Sequence, residues 1–229
     1  MRLAQFCYAF EHYFPKSQHG HIAAHFEDKF TRSFYDPCFD VDGMTSLKKQ
    51  FLLKIAFAAL DPHECYLEIG TYQGKSLISA VGDNPSLPAY ACDNFSEFSE
   101  TNSLERLRLN LKKYGLLDRI RVFDSDFRNI MSPKHILHPI GVYFYDGAHD
   151  FESQYQAIKL AEPLLSKEAL VIVDDWRFAP DSQSYAKEGT LRAVAESKRA
   201  WTPLYDLPAR FNGDHAMWWN GVAVFASHV

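Results

Sequence analysis

The stretch YLEIGTYQGKSL, Tyr66 to Leu77, decides the fold. It opens as an apolar, strand-like segment, turns through Gly70 and Gly74, and continues as a helical pattern. A glycine-bearing turn between a parallel strand and a helix brings a ligand to the helix N-terminus, although two glycines alone do not name that ligand. The neighbouring segments have to supply the rest.

Upstream, SLKKQFLLKIAFAAL begins at Ser46, and Leu47, Phe51, Leu52, Ile55, Ala56, Ala59 and Leu60 recur at helical spacing. This predicts an amphipathic helix ended by Asp61-Pro62. Downstream, short apolar segments at about 65–69, 89–92, 120–123, 141–145 and 169–173 alternate with helical patterns at about 74–82, 102–114 and 151–165. Stacked βαβ units have this signature, and they imply an α/β, Rossmann-like, doubly wound parallel sheet with helices on both faces. A helix near 188–199 precedes two segments, 201–205 and 218–226, that are expected to form an antiparallel hairpin at the sheet edge. No repeat, low-complexity tract or linker interrupts the pattern. The simplest partition is an N-terminal helical extension over 1–45 and one domain over 46–229.

Composition narrows the function. The chain has 229 residues, 47% of them hydrophobic, enough for a full core in one domain. Its net charge is −5 and its Lys and Arg are scattered, so the basic face that nucleic acids require is missing and a small-molecule substrate is expected. Cys7, Cys38, Cys65 and Cys92 form no C-x-x-C pair, which argues against a zinc site or a disulfide framework; they read as reduced thiols, Cys65 and Cys92 in buried strands. Glu11, His12 and Lys16 interrupt what would be the apolar core of a signal peptide, and no run reaches membrane-spanning length. A cytoplasmic location without membrane attachment is the expectation.

In an open parallel sheet, ligands sit beyond the carboxyl ends of the strands. Here those ends carry Glu68, Gly70, Tyr72 and Gly74 on the first strand, Asp93 on the second, Asp124 and Asp126 on the third, Asp146 on the fourth, and Asp174-Asp175 on the fifth. Single acids at strand ends are usually only solvated, but a whole series along one edge is better explained by a ligand. A dinucleotide-binding oxidoreductase shares part of this pattern. Its middle glycine admits a pyrophosphate, whereas Tyr72 stands at the corresponding place. A ligand with a ribose and no pyrophosphate fits better, and S-adenosylmethionine is one: Asp93 would accept from the ribose hydroxyls, Asp126 from the adenine amino group, and Gly70 would let the amino-acid portion lie against the backbone. On this reading a side chain at position 70 blocks the cofactor and spares the fold.

The segments LEIGTYQGKS, YACDNF and RVFDSDF, in this order, resemble the class I S-adenosylmethionine-dependent methyltransferases over roughly residues 45–226. The resemblance implies a seven-stranded sheet with an antiparallel last strand. It also implies that Glu68, Tyr72 and Ser76 stand at the cofactor-binding positions of catechol O-methyltransferase-type enzymes, with Ser76 at the methionine carboxylate.

The stretch GVYFYDGAHDFESQYQAIKLAEPLLSKEALVIVDDW, Gly141 to Trp176, carries the candidate chemistry. Asp146, Asp174 and Asp175 converge from adjacent strand ends, and converging carboxylates repel unless a cation or proton neutralises them. Hard oxygen ligands favour magnesium, calcium or manganese. The segment resembles the metal-dependent O-methyltransferases of catechol and macrocin type, especially a bacterial group with DG-x-H followed by DD. That resemblance implies Asp146, Asp174 and Asp175 as ligands of a divalent cation, magnesium first, with Asp175 departing from the catechol pattern toward the sugar-type one.

His149, three residues after Asp146, is the candidate general base, where catechol enzymes keep a lysine; capping of the following helix and a supporting position beside the metal are its structural alternatives. Trp176, Arg177, Phe178, Trp218, Trp219 and Asn220 are either pocket walls or core. His12, His19, His21 and His25 read as surface or interface residues, and the N-terminal extension either covers the site or mediates a homodimer. The activity expected is O-methyl transfer to a small hydroxylated metabolite, sugar-containing in one version; the competing class is a non-catalytic adenosyl-binding scaffold.

Overall fold

The computed structural model describes residues 1–14, 38–84, 86–176 and 184–229. Lys16, His19, His21, His25, Arg177 and Phe178, named above, lie outside them. The chain opens with helix α1 (Leu3–Tyr13), followed after the undescribed segment by α2 (Leu47–Ala58). The alternation then runs β1 (Cys65–Ile69), α3 (Lys75–Val81), β2 (Ala89–Asp93), α4 (Ser103–Lys113), β3 (Ile120–Asp124), α5 (Phe127–Ile130), β4 (Ile140–Tyr145), α6 (Phe151–Ala161) and β5 (Leu165–Val173). It closes with α7 (Tyr185–Ala195), β6 (Ala200–Leu207) and β7 (Val222–His228).

The seven strands form one sheet in the order β3-β2-β1-β4-β5-β7-β6. The first five are mutually parallel, and β7 runs antiparallel between β5 and β6. The expected hairpin is therefore present, with a shorter second arm: Trp218 to Gly221 form the turn before β7 and no strand.

Side-chain alternation along the central strands builds two cores. Tyr66, Val142, Phe144, Leu170 and Ile172 point to the face covered by α1 to α4, whereas Leu67, Ile69, Tyr143, Tyr145, Val171 and Val173 point to the face covered by α5 to α7. Burial on both sides explains why these strands read as continuous apolar runs in sequence. Each fully buried Leu, Val or Phe contributes on the order of 1.5–3 kcal/mol, and truncating Phe144 to Ala would cost about 3–5 kcal/mol.

Two N-terminal elements differ from their sequence reading. Helix α1, unmarked by any clear periodicity, inserts Phe6 and Phe10 fully into the first core, with the Phe10 ring stacked 3.9 Å from Tyr205 of β6. Helix α2 begins where Ser46 caps it, its Oγ accepting from the Lys49 amide at 3.2 Å. It is buried nearly all round, its polar residues Lys48, Lys49 and Gln50 included, because it packs against α1, α3 and the sheet. An amphipathic reading of α2 is thus incomplete.

Candidate active site

Strand order reverses between β1 and β4, so their following turns diverge and leave a cleft at the carboxyl edge. Backbone hydrogen bonds hold the strand ends level there: Gly70 N donates to Cys92 O at 2.8 Å, Asp146 N to Ile69 O at 2.9 Å, and Asp174 N to Tyr145 O at 3.0 Å. The cleft encloses about 280 Å³, near the lower end for small-molecule sites. Of the five non-glycine residues with positive φ among those described, four line it: Tyr72, Phe95, Asp175 and Trp219. Left-handed backbone costs about 1–2 kcal/mol at such residues, and its concentration here is the pattern of a functional site.

The glycine turn forms one wall. Gly70 has φ +84°, and a Cβ built on it would sit 1.8 Å from the carbonyl oxygen of Asp146. This glycine is demanded by the close approach of the β1 and β4 ends, which corrects the expectation that a side chain there would spare the fold. Gly74, also at positive φ, caps α3, and Thr71 and Tyr72 line the cleft between the two glycines. Asp93, at the end of β2, accepts from the Tyr72 amide with one carboxylate oxygen and from the Phe95 amide with the other, both at 2.8 Å. Each oxygen keeps a lone pair for a ligand hydroxyl. Asp126 lines the far end; it caps α5 through the Arg128 amide at 2.8 Å, and Arg128 also binds its second oxygen at 2.9 Å.

Glu68 does not line the cleft. It is fully buried, accepting from Tyr66 Oη at 2.6 Å and Ser76 Oγ at 2.8 Å. Burial raises its carboxyl to about 7, against the pull of those hydrogen bonds and of Lys49. Its role is to fix Ser76, which does reach the cleft.

The opposite wall gathers Asp146, His149, Asp175, Trp219 and Asn220. His149 Nδ1 lies 2.7 Å from Asp175 Oδ2, while Asn220 Nδ2 donates to Asp175 Oδ1 at 2.6 Å. Asn220 is itself oriented by the Gly213 amide, which donates to its Oδ1 at 2.7 Å. The hydrogen bond to Asp175 raises the imidazole pKa, outweighing burial, with Glu97 and Asp174 adding to it. Burial would raise Asp175, but His149, Lys49 and Asn220 together hold it below the usual carboxylate range. Helix capping at this point falls to Asp150, whose Oδ1 accepts from the Ser153 amide at 2.9 Å, leaving the His149 ring to the cleft.

Behind this wall lies a residue that sequence reasoning missed. Lys49, with no exposed side-chain surface, forms an ion pair through Nζ with Oδ2 of the equally buried Asp174. Burial disfavours its charge, yet Asp174, Asp146 and Asp175 outweigh that and keep its pKa raised. The signal was available: Lys49 occupies the same stripe as Leu52, Leu53 and Ala56, so it had to face inward. Asp146 is raised well above the usual range, first by burial and then by Asp174. Asp146, Asp174 and Asp175 therefore converge as expected, but Asp174 faces Lys49 and does not line the cleft, and both oxygens of Asp175 have partners. Among the described residues, no group of three or more His, Cys, Asp or Glu side chains is arranged to hold a metal ion. The set does not fit a divalent ion as it stands.

Trp218 is core, 1% exposed against Phe10 and Phe14, whereas Trp219 belongs to the cleft. Trp176 is buried against Phe225. Cys65 and Cys92 are fully buried, and burial pushes the Cys92 thiol up to about 12, as for an inert core thiol.

A seven-stranded sheet in this order, with an antiparallel strand beside β5 and an acid-lined cleft at the switch point, defines the class I methyltransferase fold. Residues 67–176 match the family described as "Methyltransferase domain". Solved structures share the fold at low identity. Cofactor-bound Rv0187 from MTB is 22% identical, with 87% of this chain and 86% of that one covered at a TM-score of 0.58. The O-methyltransferase TomG from Streptomyces achromogenes, in complex with SAM, is 18% identical over 88% and 87% at 0.58. An O-methyltransferase from Bacillus cereus in complex with SAH is 17% identical over the whole of both chains at 0.57.

Proposed function

We propose that this protein transfers the methyl group of S-adenosylmethionine to a hydroxyl of a small metabolite, with His149 as general base. The observation that carries the reading is the His149–Asp175 pair, opening on the same cleft as the glycine turn and Asp93. Bound along that turn, S-adenosylmethionine would supply a sulfonium methyl group, whose S–C bond breaks as the acceptor oxygen forms the new C–O bond, leaving a thioether.

Asp93 would hold the ribose hydroxyls on its remaining lone pairs, Ser76 the amino-acid end, and the Asp126 region the adenine. His149 Nδ1 is committed to Asp175, so Nε2 is the nitrogen that faces the acceptor. The neutral imidazole takes the hydroxyl proton there as the oxygen attacks, and Asp175 stabilises the imidazolium that forms. Asn220 keeps the carboxylate aimed at the ring. Tyr72, Phe95 and Trp219 shape the cleft and exclude water from the aligned pair. The expected divalent cation has no step in this mechanism.

The TomG and Bacillus cereus structures, both O-methyltransferases in complex with SAM or SAH, support oxygen as the acceptor atom. The cleft's mixed aromatic and acidic walls suit a hydroxylated small molecule better than a polymer, and a cytoplasmic location agrees with Cys65 and Cys92 standing as buried thiols. Among the described residues no helix is long and apolar enough to cross a membrane. Calorimetry with S-adenosylmethionine against NAD tests the cofactor, with tighter NAD binding rejecting the reading. Transfer of labelled methyl from S-adenosylmethionine across a panel of phenols, sugars and hydroxy acids tests the reaction.

A further inference from the structure

The carboxylates at the ends of β4 and β5 each face a particular partner. Asp174 Oδ2 is paired with Lys49 Nζ in a space where neither side chain is more than 1% exposed. Asp175 has one oxygen on His149 and the other on Asn220. Of the three acids, Asp146 and Asp175 line the cleft, while Asp174 and Lys49 lie behind it. A divalent ion of the magnesium or calcium type takes six or more oxygen ligands, with several carboxylate oxygens turned toward one point. Here Asp174 Oδ2 and both oxygens of Asp175 are taken by nitrogen donors on α2, on the turn before α6 and on the turn before β7, and the Asp146 carboxyl faces Asp174.

The geometry points to Lys49 as the resident cation of this site: its ammonium does the charge-neutralising work that the sequence pattern assigns to a divalent metal, and this methyltransferase works without one. The inference rests on the methyltransferase reading for its functional half. Its structural half stands on the Lys49–Asp174 pair alone. Lys49 belongs to α2, outside the 67–176 segment that defines the domain, so the strand-end motif by itself cannot reveal which cation serves it. Lying behind the cleft with no exposed surface, this ammonium does not reach substrate oxygens alongside Asp146. The acceptor hydroxyl is then activated by His149, and chelating vicinal diols gain no advantage over single hydroxyls. Lys49 is a positioning residue, holding Asp174 and through it the edge on which Asp146 and Asp175 sit.

The test begins with wild-type protein stripped by a chelator and then titrated with magnesium, manganese and calcium at millimolar concentrations, read by melting temperature and by manganese EPR. No saturable shift and no bound manganese are expected, while S-adenosylmethionine still raises the melting temperature. A saturable metal shift that Asp174→Asn removes would overturn the inference. Failure of S-adenosylmethionine to bind would instead strike the functional reading and leave the metal result intact. The second arm is a mutant cycle. Lys49→Met strands a buried carboxylate and should lower the melting temperature by roughly 6–20 °C, and Lys49→Met/Asp174→Asn should recover more than half of that loss. A double variant no more stable than the single one, with or without soluble Lys49→Met protein, would show that Lys49 is not there to neutralise Asp174.

Discussion

Replacing Gly70 by alanine separates two reasons for a glycine at the site. The residue has φ +84°, where an L side chain costs about 1–2 kcal/mol. The new Cβ would also lie 1.8 Å from Asp146 O and 2.4 Å from its carbonyl carbon, and neither atom belongs to a flexible side chain. Relief requires the ends of β1 and β4 to part, an overpacking cost of about 1–3 kcal/mol. It also weakens the Gly70 N to Cys92 O or Asp146 N to Ile69 O hydrogen bond, about 1 kcal/mol more. The sum, about 3–6 kcal/mol, corresponds to a melting-temperature loss of roughly 6–24 °C for a domain of this size. Gly115 is the control: its φ is +70°, but a Cβ there meets nothing within 4 Å, so Gly115→Ala should lose only about 1–2 kcal/mol, or roughly 2–8 °C. Thermal melts of both variants, with calorimetry for S-adenosylmethionine, decide the matter. If Gly70→Ala melts like Gly115→Ala yet fails to bind cofactor, the close strand approach is not why glycine is needed, and the reasoning is wrong.

His149→Gln should reduce turnover by roughly 10²–10⁴ with cofactor affinity nearly unchanged, and a wild-type rate in a chemistry-limited assay would remove its role as base. Because Asp175, Glu97 and Asp174 raise the imidazole pKa, the working neutral form appears only as pH rises through a midpoint above 6.5. Asp175→Asn should move the pH–rate midpoint downward, and an unmoved midpoint would mean another group titrates. Glu68, raised from 4.5 to about 7, favours its protonated form in the fold, so its contribution is full below pH 4.5 and is lost as pH climbs to about 7. The stability of wild type relative to Glu68→Gln should therefore fall by about 3 kcal/mol across that window in denaturant titrations, and a constant difference would refute the assignment. Asp93→Ala should weaken S-adenosylmethionine binding while also freeing the Tyr72 and Phe95 amides; unchanged affinity by calorimetry would move the ribose site elsewhere.

Local signals were enough for the frame of this protein. Apolar runs of strand length alternating with helical periodicity specified five parallel strands and their helices, because hydrogen bonding and burial on both faces leave such segments few other arrangements. The acids at the strand ends were legible for the same reason, since a residue following a parallel strand must emerge at the carboxyl edge, and the placement of Asp93, Asp146 and Asp175 around one cleft follows from strand order. What each acid faces was decided only by tertiary packing. Lys49 is 125 residues from Asp174 in sequence, and Asn220 is 45 from Asp175, so nothing local records either pairing. Helix α2 had to be wedged against the sheet before its lysine became buried, and burial is what turns an ordinary surface cation into a fixed charge beside three carboxylates. Gly70 shows the same division: its need for left-handed backbone was visible in the turn, but the Asp146 carbonyl that forbids a side chain arrives from a strand 76 residues away, counted from Gly70 to Asp146.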